Sequence, residues 1–193
     1  MALSSRFDRA VNTARTLHSD QVRKGTSIPY ISHLLGVASI ALEHGADEDV
    51  AIAALLHDAV EDAGGAETLQ SIRQDFGERV AGIVDECSDT DVVPKPPWLE
   101  RKKAYIAHIS EASVDALLVS AADKLHNARS ILMDLRTHGD AVWDRFNAER
   151  DDILWYYREL LGEFRRTKQV PAPLLEELRI VIAEMTILSQ KPG

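Results

Sequence analysis

The sequence predicts an all-α fold of about nine helices. Three observations carry that prediction. Apolar residues recur at helical spacing along most of the chain, no sustained period-2 run rich in β-branched residues occurs, and glycines and prolines fall between the periodic stretches. At 193 residues the chain is long enough for one ordinary domain with a real core.

The elements follow in order. Phe7, Val11, Ala14 and Leu17 mark a first helix, and Ile31, Leu34, Leu35, Ala38 and Leu42 a second, opened by Pro29 and Tyr30 and stopped at Gly45. Asp47 is a good N-cap for a third helix, DEDVAIAALLHDAVED, ended by Gly64 and Gly65. Further helices are expected over about 67–75, 77–88, 98–110, 112–137, 140–166 and 172–189. Prolines make 89–97 a loop. Pro171 and Pro173 mark a break before the last helix, which reads as an appended piece and not as a second domain.

Composition narrows the function. Hydrophobic residues make up 45% and charged residues 27%, the balance of a globular protein. No apolar run approaches the roughly 20 residues that a membrane span needs, and the first 20 residues lack the pattern of a secretory signal. Cys87 is the one cysteine, so no disulfide framework exists and a cytoplasmic setting is expected. Cys87 itself reads as a small apolar filler near a helix end rather than as a nucleophile. A net charge of −9 disfavours nucleic acid as a partner. It leaves room for a small anionic ligand, because Arg23-Lys24 and Arg101-Lys102-Lys103 are local basic clusters.

Three segments end apolar helix faces with polar groups. In LLHDAVED, His57 lies one turn from Glu61 and Asp58 one turn from Asp62, directly after Ala53, Ala54, Leu55 and Leu56. In SAADKLHNARS, Asp123 ends an apolar run and shares a face with Asn127 and Ser130. In PYISHLLGVA, His33 begins an apolar helix. Taken singly, each reads better as a core histidine or a solvated acid than as a site. Taken together, His33, His57, Asp58 and Asp123 form a nitrogen–oxygen set that suits Mn²⁺, Fe²⁺ or Zn²⁺ and disfavours thiolate-bound metals. Four protein ligands on such an ion leave positions open for water and substrate, as a catalytic site requires. His18, His44, His108, His126 and His138 read as structural or exposed. Three residues turn His126 about 300° around the helix from Asp123, so contact between them is possible but not implied.

The set His33, His57-Asp58 and Asp123 resembles the HD-domain phosphohydrolase superfamily. RKGTSIPYISH, ALLHDAVED, FGERVAGIVDECSD and AADKLHNARS, in that order, are similar to the hydrolase domain of RelA/SpoT-type enzymes and the stand-alone small alarmone hydrolases. The similarity runs over about residues 5–165. It implies a compact multi-helix HD-domain bundle, with a hydrolase domain over 1–165 and a C-terminal helical extension over 166–193 packed on the same domain. It implies removal of pyrophosphate from the 3′ position of (p)ppGpp with one Mn²⁺ per chain, held by His33, His57, Asp58 and Asp123. The resemblance makes Glu61 and Asp62 the catalytic pair that orients and activates water. It makes Arg23 and Lys24 nucleotide contacts, Asn127 and Ser130 polar positions near ribose and base, and Met133 an apolar residue under the base. Arg101–Lys103 read equally as phosphate contacts or as a solvated helix face, and Trp155, Tyr156 and Tyr157 as core.

Two other readings keep the site. One changes the substrate to an adenine alarmone or to the 2′-phosphate of NADPH. The other is a metal-dependent nucleotide sensor, against which the intact Glu61-Asp62 pair argues. The expected partner is a small nucleotide, without nucleic acid or membrane, and a homo-oligomer is compatible with the sequence.

Overall fold

A nine-residue helix that is buried on every side sits at the centre of the computed structural model, which describes residues 2–88 and 96–190. This is α3 (Glu48–Leu56), in which every residue from Val50 to Leu56 is buried. A helix that is apolar all round belongs inside a core, and here α1 (Ser5–Leu17), α2 (Ile31–Glu43), α6 (Glu78–Cys87) and α8 (Val114–His138) surround it. Its start follows the expected chemistry: the Asp47 side chain accepts a hydrogen bond from Val50 N at 3.1 Å. Gly45, with φ of +97°, makes the turn that separates it from α2.

The remaining elements complete the bundle around this centre. Helix α4 (Ala59–Asp62) leads into α5 (Gly65–Phe76) and α6. After the segment 89–95, which lies outside the described residues, α7 (Trp98–His108) runs into a 3-10 turn at Ile109–Glu111. Helix α8 has 25 residues and forms the spine of the molecule. A 3-10 segment, Gly139–Arg145, precedes α9 (Arg150–Thr167), and α10 (Ala172–Leu188) closes the described chain. Helix α10 lies along α8 and α9 and buries Leu174, Leu178 and Met185 completely.

Counted with α3 and α4 as one segment, the described residues hold nine α-helices, and the only bridge of strand type among them is the isolated pair Val22 and Pro29. The all-α expectation is met. Among the described residues no helix is long and apolar enough to cross a membrane. Two expected helices differ from those observed. The third breaks at His57 and Asp58, where Asp58 adopts φ of −95° and ψ of −3° before the chain resumes helical bonding. The expected helix over 140–166 begins only at Arg150, because Phe146 and Glu149 are extended, with ψ of 154° and 151°. Val142 and Trp143 bury themselves in this detour, and the burial outweighs the local helical spacing.

Candidate active site

Helices α2, α3 and α8 bring their polar ends together at one point. His33, in the first turn of α2, is 1% exposed, and His57, at the end of α3, is 4% exposed. His33 Nε2 lies 3.5 Å from Asp58 Oδ2 and 3.2 Å from Asp123 Oδ1. His57 Nε2 lies 3.1 Å and 3.7 Å from the same two oxygens. His33, His57 and Asp58 each offer a ligand atom within 4.8 Å of the others, and Asp123 closes the group from α8. The break at His57-Asp58 is what turns Asp58 toward this point instead of around the helix.

The donor set fits a divalent cation. His57 Nδ1 donates to Ala54 O at 2.9 Å, so Nε2 presents its lone pair. That Nε2 is buried and lacks a hydrogen-bond partner among the described residues, although two carboxylate oxygens are near. A buried polar atom without a partner is costly, and a cation shared with the carboxylates removes the cost. His33 Nδ1 meets His126 Nδ1 at 2.9 Å. In the tautomer that leaves His33 Nε2 for a ligand bond, Nδ1 donates to His126, the outer-shell support that ligand histidines use. Burial alone disfavours a charged His57, but the Asp58 and Asp123 carboxylates outweigh it and push the imidazole well above its ordinary range. Burial likewise opposes ionisation of Asp58, yet His57 and His33 hold its carboxyl well below the usual range.

Further side chains hold the carboxylates. Tyr30 Oη donates to Asp58 Oδ2 at 2.6 Å, Asn127 Nδ2 donates to Asp123 Oδ1 at 2.6 Å, and Lys124 Nζ donates to Asp123 Oδ2 at 2.5 Å. Glu61 and Asp62 follow on α4, Glu61 half-buried and Asp62 solvent-exposed. His18 Nδ1 donates to Gln21 Oε1 at 2.5 Å, and Gln21 Nε2 donates to Asp62 Oδ2 at 2.8 Å. Partial desolvation of the carboxyl, then the neighbouring Asp58 and Glu61, push Asp62 above the ordinary carboxylate range, with Gln21 opposing.

A cavity of about 330 Å³ adjoins this cluster. Arg23, Lys24, Asn127 and Ser130, the four side chains expected at the ligand, all line it. Arg23 Nη2 donates to Asn127 Oδ1 at 2.6 Å, and Asn127 in turn holds Asp123, so one amide joins cavity and cluster. Met133 does not fill its expected place: it is 59% exposed, and Ile131, Val142, Phe146 and Tyr157 supply the apolar wall. Tyr157 belongs to the core, as expected, and also forms part of the cavity wall. Trp155 and Tyr156 pack against or within the core, and Arg101–Lys103 lie outside the cavity lining, with Arg101 Nε donating to Pro96 O at 3.2 Å. Burial pushes the Cys87 thiol up to about 12, so it carries no thiolate at neutral pH.

Sequence reasoning missed four residues here. His126 reaches His33, Tyr30 reaches Asp58, Lys124 grips Asp123, and Arg145 enters the cavity. One signal for His126 is a glycine inside the apolar α2: a Cβ on Gly36 would lie 2.3 Å from His126 Cδ2 and Nε2. A signal for Arg145 is Gly25, at φ of +72°, where a Cβ would lie 2.7 Å from Arg145 Cδ.

Known proteins resemble this chain. A family model described as HD domain matches residues 10–154. The Xenopus tropicalis protein guanosine-3′,5′-bis(diphosphate) 3′-pyrophosphohydrolase MESH1 is 42% identical over 125 residues, 63% of this chain and 67% of that protein. The Drosophila melanogaster protein of the same name is 31% identical over 167 residues, 85% of this chain and 87% of that protein. A solved structure described as a metazoan ortholog of SpoT that hydrolyzes ppGpp superimposes with a TM-score of 0.79 at 29% identity, covering 95% of this chain and 97% of that one. With a family model that spans residues 10–154, well over half of its length, this chain belongs to the HD-domain family.

Proposed function

We propose that this protein is a Mn²⁺-dependent (p)ppGpp 3′-pyrophosphohydrolase, releasing pyrophosphate and leaving GDP or GTP. The observation that carries the reading is the continuity between the histidine–carboxylate cluster and a cavity lined by Arg23, Lys24, Asn127 and Ser130. MESH1 relatives and the structural match to a ppGpp-hydrolysing protein support it.

His33, His57, Asp58 and Asp123 would hold one divalent ion. When bound, such an ion acidifies a water and polarises a phosphoryl oxygen. The protein does the rest. Arg23 and Lys24 attract the nucleotide phosphates, while Asn127 and Ser130 orient the ribose. Glu61 and Asp62 align the attacking water and accept its proton as its oxygen adds to the phosphorus on O3′. Asp62 suits that role because Gln21 fixes its direction, and partial burial with Asp58 and Glu61 nearby strengthens its hold on a proton. The P–O3′ bond then breaks, the ribose oxygen takes a proton to become the 3′-hydroxyl, and pyrophosphate leaves.

Incubation with ppGpp and Mn²⁺, followed by anion-exchange separation, tests this. GDP and intact pyrophosphate are expected, with GDP and GTP themselves spared, since a free 3′-hydroxyl presents no phosphate to the cluster. Single orthophosphates, or comparable attack on GTP, would contradict it. NADPH or ppApp cleaved in place of ppGpp would keep the hydrolase and change its substrate, and binding without turnover of any of them would indicate a sensor.

Gly36→Ala gives a separate expected result. The new methyl must displace the His126 ring, because the gap is 2.3 Å. His33 then loses its outer-shell partner, and metal affinity should fall about 10- to 100-fold. Calorimetric Mn²⁺ titration of the variant measures this, and wild-type affinity would show that His126 does not support His33.

A further inference from the structure

The cavity is built for a polyanion, yet it contains an acid. Arg23, Lys24 and Arg145 give it three cationic side chains, and Asp134 is the one carboxylate among the described residues that line it. Next to phosphates a carboxylate is repulsive, so it belongs beside a part of the ligand that donates hydrogen bonds.

Helix α8 sets where that part lies. Asp123, Asn127, Ser130 and Asp134 are spaced by four, three and four residues and share one face. Asp134 therefore stands about 16 Å along the helix from the proposed metal ligand Asp123. A nucleotide anchored by its 3′-phosphate at Asp123, with its ribose at Asn127, extends its base toward Asp134. The site there is held in place from two sides. Arg145 Nη1 donates to Asp134 Oδ2 at 2.6 Å, and the glycine backbone at Gly25 leaves room for the Arg145 side chain. That bond uses one oxygen of Asp134 and one terminal nitrogen of Arg145, and both residues line the cavity. Asp134 thus accepts and Arg145 donates, side by side.

We infer that Asp134 and Arg145 read the base edge and select guanine over adenine. Guanine presents N1–H and the N2 amino group as two adjacent donors, with O6 beside them as an acceptor. The carboxylate takes the two donors, and Arg145 takes O6. Adenine offers one amino group, and its bare N1 turns a lone pair on the carboxylate. The pairing rests on the nucleotide reading proposed above and adds to it the residues that choose the base.

Guanosine 3′,5′-bisphosphate and adenosine 3′,5′-bisphosphate carry identical phosphates and isolate the base. Calorimetric Kd values for both, on the full chain with Mn²⁺, should differ by about tenfold to a hundredfold in favour of guanosine. Asp134→Asn keeps the shape but can no longer accept two donors. It should erase that preference by weakening the guanosine ligand and leaving the adenosine ligand nearly unchanged. Asp134→Ala should do the same, which guards against a fault peculiar to the amide. A parallel loss for both ligands would show that Asp134 only props Arg145 against phosphate and would overturn the inference. So would equal or reversed affinities in the wild type. Because the readout is binding and not product formation, a failure of ppGpp hydrolysis would sink the proposed activity and leave this measurement standing.

Discussion

Asp123→Ala is expected to strip the protein of its divalent ion and to lower ppGpp turnover by more than about 100-fold, since even outer-shell partners of a metal site cost 10- to 100-fold when lost. Asp123 supplies the carboxylate that faces both imidazoles, at 3.2 Å and 3.7 Å, and it is 6% exposed. Its removal leaves three donors on one side of the site and nothing from α8. It also strands the buried Lys124 ammonium, which now donates to Asp123 Oδ2 at 2.5 Å, so the alanine variant should melt earlier than wild type. Asp123→Asn serves as the companion. It keeps an acceptor and the side-chain volume while removing the charge that a cation requires. Elemental analysis after Mn²⁺ loading and gel filtration reads the result directly: one ion per wild-type chain, and far less than one in both variants. Equal metal in all three would remove Asp123 from the ligand set.

The residues that make this site differ in how far the sequence reveals them. His33, His57, Asp58 and Asp123 each end an apolar helical run, and buried polarity of that kind needs compensation. The structure gathers all four at one point. Caps were equally legible, as with Asp47 accepting from Val50 N and Gly45 turning the chain. The break at His57-Asp58 was not, because the helical spacing continues through it and only tertiary contact redirects Asp58. His126 shows the limit of a helical wheel. The wheel leaves its contact with Asp123 possible but not implied, and α2 brings His33 to within 2.9 Å of it. A wheel describes one helix and carries no information on which neighbour packs there. Arg145 was hidden in the same way: it lies in a stretch of helical spacing that folds instead as a 3-10 segment, so the wheel assigned it no particular neighbour.

Glu61→Gln and Asp62→Asn are expected to retain the metal and lose turnover, each by about 10²- to 10⁴-fold, the range for removing general acid–base help. The two residues sit on α4, immediately past His57 and Asp58. Each amide preserves size and removes only charge and proton-accepting capacity, so folding should be little changed. Asp62→Asn has a second consequence. Gln21 Nε2 now donates to Asp62 Oδ2, and the asparagine can still accept that bond through its oxygen. It must then turn its amide nitrogen toward the place where a carboxylate oxygen stood. A water held there meets a donor in place of a base, so kcat should fall while KM for ppGpp stays near wild type. Metal content measured on the same preparations separates the explanations. Loss of both metal and turnover would make these acids ligands rather than bases, and near-normal turnover with full metal would make them a solvated helix face.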